Sequence, residues 1–147
     1  MKINIGISKI PQMGDRELER AVLEQIMPPE YNQRFYEPLS IYRFRPTETA
    51  IHERDVLERM WALGWRDSQQ LIKDETDPTD IKIVHAVHFI KDIGNDGYLL
   101  SEEIVRDNRP RAVLEAALVS VLGHEQYLEN PQKSASSTFW GTLEEKD

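Results

Sequence analysis

The segment Ile81 to Ile90 carries Ile81, Ile83, Val84, Val87, Phe89 and Ile90, and Gly94-Asn95-Asp96-Gly97 follows it. Side chains branched at Cβ lose rotamer freedom in a helix and pack well on a pleated surface, so this run reads as a strand. Asp-Gly supplies the positive φ that a tight reversal needs, and Tyr98 to Ile104 then reads as the returning strand of a hairpin. A weaker strand candidate, Ser68 to Lys73, precedes it across an acidic loop, Asp74 to Asp80, that contains Pro78. Short connections favour neighbouring strands, so the three form an antiparallel meander.

Helices bracket the meander. Asp15 reads as an N-cap, and Arg16 to Met27 places Leu18, Ala21, Val22 and Ile26 on one face before Pro28-Pro29 stops it. Thr47 or Thr49 caps a second helix running to Leu63, with Val56, Leu57, Met60 and Trp61 as its apolar stripe and Gly64 as the left-handed residue after it. Trp61 is expected in the core, and Trp65 at the helix–strand corner. Asn108 and Pro110 open a last helix to Leu122, with Val113, Leu114, Ala117, Leu118, Val121 and Leu122 inward and Gly123 closing it. Residues 1–10 alternate Ile3, Ile5 and Ile7 with polar neighbours and read as a short strand or extended arm. Residues 30–46 form an aromatic connecting segment, and the tail from Pro131 is polar until Phe139-Trp140.

The expected fold class is therefore α+β: helix, three-stranded antiparallel meander, helix, with an extra N-terminal helix and an irregular C-terminal tail. The domain division is 1–14 as an arm or strand, 15–124 as a single α+β domain, and 125–147 as the tail. The helices cover one face of the sheet, or one each.

At 147 residues the chain has the size of one ordinary domain, able to bury a core without metal or disulfide staples. It has no cysteine, which removes disulfides, Cys-type zinc sites and a cysteine nucleophile. No apolar run approaches the roughly 20 residues that span a bilayer, and residues 1–6 lack the apolar core of a signal peptide. The expected location is the cytoplasm, with no membrane partner. The formal charge of −8 opposes general nucleic-acid binding, since phosphate backbones attract basic surfaces. Helix, three strands, helix is also the order of a double-stranded RNA module, but its basic patch is missing.

Asp92 to Glu103 nearly fits a calcium loop, with Asp92, Asp96, Gly97, Leu99 and Glu103 at positions one, five, six, eight and twelve. Gly94 offers no ligand at position three, Arg109-Pro110 leaves little room for an exiting helix, and the entering segment is β-branched. The hairpin reading is the one adopted. Of the four histidines, His52, His85, His88 and His124, the pair at 85 and 88 faces opposite sides of a strand and shares no metal. No cofactor or metal is expected. There is no Gly-rich phosphate loop and no G-x-S-x-G elbow, and no acid, base and nucleophile assemble, so the expectation is a protein without enzymatic activity.

Positive charge sits in unusual places. Arg43 and Arg45, in Tyr42-Arg43-Phe44-Arg45-Pro46-Thr47, precede the second helix, and Arg109 and Arg111 flank Pro110 at the start of the last. A helix N-terminus with free N–H groups and a guanidinium nearby makes an anion site, and Tyr42, Phe44 or Tyr98 offers a ring to stack a base. Two such sites fit a nucleotide. The simpler reading pairs these arginines with Asp107, Glu48 and other local carboxylates. Phe139-Trp140 either docks back onto the domain or anchors a partner or a second subunit.

Arg16-Glu17-Leu18-Glu19-Arg20-Ala21-Val22, Pro46-Thr47-Glu48-Thr49-Ala50 leading into Val56-Leu57-Glu58-Arg59-Met60, and Asn108 to Leu118 after Val87-His88-Phe89 together resemble the small phage ABA sandwich family of bacteriophage and prophage proteins. The resemblance spans about Asp15 to Gly123 and rests on helix caps and core positions. It implies a phage accessory protein in the host cytoplasm that binds and inhibits a host or anti-phage defence factor. The alternatives are a sponge that sequesters a nucleotide signal through the arginine pairs, and a single calcium-binding module.

Overall fold

The computed structural model describes residues 7–31, 44–94, 97–129 and 140–144. The architecture is α+β, with helices against an antiparallel sheet. Residues 1–6 of the expected strand or arm lie outside the described residues; of its remainder, Ile7–Gln12 form a 3-10 helix in which Ile10 is fully buried. Helix α1 (Asp15–Gln25) begins one residue before the expected start. Gly14, not Asp15, is the cap: it is extended (φ −70°, ψ 165°) and makes no side-chain cap bond. Asp15 and Glu17 occupy the first turn, where the helix dipole favours carboxylates.

Helix α2 (Ala50–Ala62) is capped by Thr49, whose side chain accepts from the His52 N–H. It ends at Leu63, and Gly64 follows with φ 98°, a conformation that costs glycine little and other residues more. Helix α3 (Arg109–Glu129) is capped by Asn108, whose Oδ1 accepts the Arg111 N–H at 3.0 Å. Pro110 sits where no intrahelical donor is required. Gly123 lies inside this helix rather than closing it, so the helical part of the chain reaches beyond the expected boundary at residue 124.

Strand β1 (Trp65–Asp74) pairs antiparallel with β2 (Lys82–Gly94) along its whole length, from Trp65 opposite Lys91 to Asp74 opposite Lys82. The weak strand candidate is thus longer than the sequence indicates. The other edge of β2 takes β3 (Gly97–Ser101) and then β4 (Ile104–Arg106). Ile90 faces Leu100 and Val87 faces Ile104, so the returning strand holds one residue more than β2 over this stretch: a β-bulge. Ser101 repairs the ladder there, its buried Oγ accepting the Phe89 N–H at 2.9 Å. The segment expected to be a calcium loop or a hairpin is a hairpin, with Asp92 in β2 and Glu103 in the bulge. Residues Trp140–Glu144 of the expected tail form β5, paired with β3, so the sheet runs β1-β2-β3-β5 with β4 also on β2.

One face of the sheet carries Trp65, Val87, Phe89, Leu99 and Ile104 into the core. Helix α3 lies against β2, β3 and β4, helix α2 against β1, and α1 packs on α3 from the far side. Every residue from Ala112 to Ser120 is buried. A helix covered all round belongs to the interior, not to an amphipathic surface. Ser120 tolerates this by donating its hydroxyl to the Ala116 carbonyl at 2.7 Å. Among the described residues no helix is long and apolar enough to cross a membrane.

Candidate functional site

Burying a carboxylate costs several kcal/mol unless hydrogen bonds and charge compensate it. Three glutamates are nevertheless buried, one on each helix: Glu19, Glu53 and Glu115. Their compensation explains where five of the arginines go. Glu19 accepts the Thr47 N–H (3.0 Å), the Thr47 hydroxyl (2.6 Å) and Arg16 Nη1 (2.7 Å), with Arg45 Nη1 at 3.9 Å. Glu115 accepts both Nε and Nη2 of Arg106, at 3.0 and 2.7 Å, and Nε of Arg111 at 2.6 Å. Glu53 Oε1 accepts Arg109 Nη2 at 2.7 Å.

The arginines singled out by sequence therefore do not gather around one ligand. Arg111 points inward, largely buried, between Glu115, Asp15 and the carbonyls of Ile10 and Pro11. Arg45 donates to the Phe44 carbonyl and lies near Glu19. Arg109 diverges from Arg111 toward α2. Ion pairing is what the structure contains: Arg111 pairs with the local carboxylate of Glu115, Arg109 with the distant Glu53, Glu48 binds Arg16, and no described contact joins Asp107 to either arginine. Tyr42, Arg43 and Phe139 lie outside the described residues. Tyr98 and Trp140 are placed by their backbones, Tyr98 opposite Asp92 and Leu143, and Trp140 opposite Ser101.

Arg109 keeps half of its side chain exposed, and with α2 it bounds an open cleft of about 450 Å³. Ala50, Ile51, Glu53, Arg54, Asp55, Leu57 and Glu58 line the rest of its wall. Glu53 Oε2 is buried without a hydrogen-bond partner among the described residues. The cleft thus combines the apolar Ile51 and Leu57 with two guanidinium groups and three carboxylates, of which Glu53 has spare acceptor capacity.

The cleft opens onto the outer face of α2. Ile51, Arg54, Glu58 and Trp61 recur there at helical spacing, all exposed. Ile51 is 75% and Trp61 41% exposed, which corrects the expectation that Trp61 is core. Its indole N–H donates to Asp67 at 2.7 Å, and the Arg54 guanidinium lies 5.2 Å over its ring. Arg54 also pairs with Glu58 at 3.2 Å. The true inward stripe is Glu53, Val56 and Met60. That spacing was available in the sequence, but reading Glu53 as core required knowing of Arg109, more than fifty residues away.

The histidines stay apart. His52 Nδ1 accepts the Arg45 N–H, His85 and His88 take opposite faces of β2, and His124 meets the Trp65 ring edge-on at 5.9 Å. The sequence and the fold match no protein-family model, no curated protein and no solved structure.

Proposed function

We propose that this protein acts by binding rather than by catalysis. In this reading it docks a protein partner on the outer face of α2 and the adjoining Arg109 cleft, as a phage accessory protein that occludes a host or defence factor in the host cytoplasm. The observation that carries the reading is the exposed stripe Ile51–Arg54–Glu58–Trp61. Tryptophan and arginine are the residues most often found at the energetic centres of protein interfaces, and here they are already stacked and held in place. The overall charge of −8 steers such a surface toward basic partners. The phage setting rests on the sequence resemblance alone.

The experiment is an affinity capture from bacterial lysate with wild type and the Ile51→Asp/Trp61→Ala variant, both checked for an unchanged fold by circular dichroism. A protein retained by the wild type and lost by the variant supports the reading. A protein retained equally by both places the interface elsewhere. The nucleotide reading retains one observation in its favour, the half-exposed Arg109 at the start of α3. Titration calorimetry with linear and cyclic nucleotides, repeated on Arg109→Ala, decides it: heat that vanishes in the variant supports a nucleotide, and no heat with the wild type excludes those tested.

A further inference from the structure

Strand β1 ends the sheet path among the described residues, so one of its edges has main-chain N–H and C=O groups without strand partners. Proteins usually blunt such an edge with proline, a bulge, a very short strand or charged side chains, and β1 carries charges near its two ends, at Arg66, Asp67, Lys73 and Asp74. Residues 65–74 hold no proline, and their register with β2 is unbroken over ten residues. Gln69, Gln70, Leu71 and Lys73 are exposed, and none of the other described strands lies along the middle of this edge. Leu71, 67% exposed, and Ile83, 55% exposed, lie on the helix-bearing face but beyond the cover of the helices.

We infer that the β1 edge is a self-association surface, pairing antiparallel with β1 of a second copy about a two-fold axis through Gln70. The register follows from the geometry. In an antiparallel pair the opposed residues exchange N–H and C=O groups toward each other, and along one strand these groups point outward at every second residue. A strand pairing with its own copy must therefore oppose residues of equal parity, which removes half of the registers. Centring on Gln69 sets Arg66 against Ile72 and Asp67 against Leu71. Centring on Leu71 sets Asp67 against Glu75. Centring on Gln70 sets Arg66 against the second copy's Asp74 and Asp67 against the second copy's Lys73, with the neutral Ser68 to Ile72 between. All four charges of the strand then meet opposite charges, twice over by symmetry. The two copies of Leu71 become diagonal neighbours, about 7–8 Å apart, which covers the most exposed apolar side chain of the described sheet.

The α2 face meets this strand at the Trp61–Asp67 hydrogen bond, and the Arg66, Lys73 and Asp74 variants below leave both of those residues in place. The test is sedimentation equilibrium of the full chain over a concentration series, with native mass spectrometry. The wild type dimerises. Arg66→Glu and Asp74→Lys each create two like-charge rungs and weaken self-association roughly tenfold or more. Mixed in equal amounts, these two variants form a heterodimer, because each supplies the charge the other lacks. Lys73→Glu weakens dimerisation too, and it leaves the Asp74–Thr76 turn untouched. A wild type that stays monomeric overturns the inference. So does an Arg66→Glu variant that dimerises like the wild type, or a mixture that associates no better than its separate components.

Discussion

Glu115 is fully buried and accepts three hydrogen bonds from two arginines, so replacing it with alanine tests whether the inner ion cluster holds the fold together. Breaking a buried ion cluster by removing one member costs about 3–5 kcal/mol, most of it the penalty of the charges left behind. Those charges are not equally trapped here. Arg106 has a side chain 35% exposed and can turn toward water, whereas Arg111, at 14%, remains inside but keeps Asp15 at 3.1 Å. The expected loss is therefore near the lower bound, about 3 kcal/mol. For a chain of this size that is a fall of roughly 6–12 °C in Tm. Urea unfolding and calorimetry at neutral pH measure it. The companion variant replaces Arg106, Arg111 and Glu115 together with leucine or methionine. With no charge left to strand, it recovers most of the loss. A single variant that loses under about 1 kcal/mol, or a triple variant as unstable as the single one, refutes the argument that orphaned charge is the cost.

Ser101→Ala leaves the buried Phe89 N–H without an acceptor in the bulge and costs about 1–3 kcal/mol, read as lost hydrogen-exchange protection at Phe89; unchanged protection contradicts it. Gly64→Ala has room, since the added Cβ meets Lys91 only at 3.6 Å, so its cost of about 1 kcal/mol is conformational, and Gly64→Asn loses less. Burial pushes the His124 imidazole below its ordinary value, the charge of Lys91 acts the same way, and Glu125 opposes them. The native state then binds fewer protons than the unfolded chain just below about pH 6.5, so stability falls as pH drops through that range. Urea midpoints at pH 7.5 and 5.5 decline less in His124→Gln than in the wild type; equal declines exclude His124 as a contributor.

The meander and the helix starts were legible because their signals are local. The β-branched run at Ile81 to Ile90, the Thr49 and Asn108 caps and the positive φ of Gly64 each depend on a few adjacent residues. Elements whose extent depends on distant partners were not. β1 outgrew its propensity because β2 was long enough to pair with all of it, bringing in Arg66, Asp67 and Asp74, residues of low strand preference. α3 ran through Gly123, which is itself buried, although glycine is a common helix stop. Trp140 joined the sheet through a backbone pairing with β3 that no side-chain pattern announces.

The arginines show the same limit at the site. Arg109 and Arg111 differ by two positions in sequence and so point about 200° apart around a helix. That alone predicts that they serve different neighbours, as they do. What the sequence cannot supply is which glutamates face them. Glu19 on α1 holds Thr47, at the entry to α2; Glu53 on α2 holds Arg109 on α3; and Arg111 on α3 holds Asp15 on α1. The three links close a ring around the three helices. Apolar packing tolerates small slides of one helix along another, whereas a directed hydrogen bond holds over a narrower range of positions. In a chain with more acids than bases, engaging Arg45 and Arg111 internally leaves fewer cations for a ligand. Arg54 on the open face of α2 and Arg109 at its cleft stay exposed despite their pairing, and the proposed binding face rests on that helix rather than on the paired arginines of the sequence.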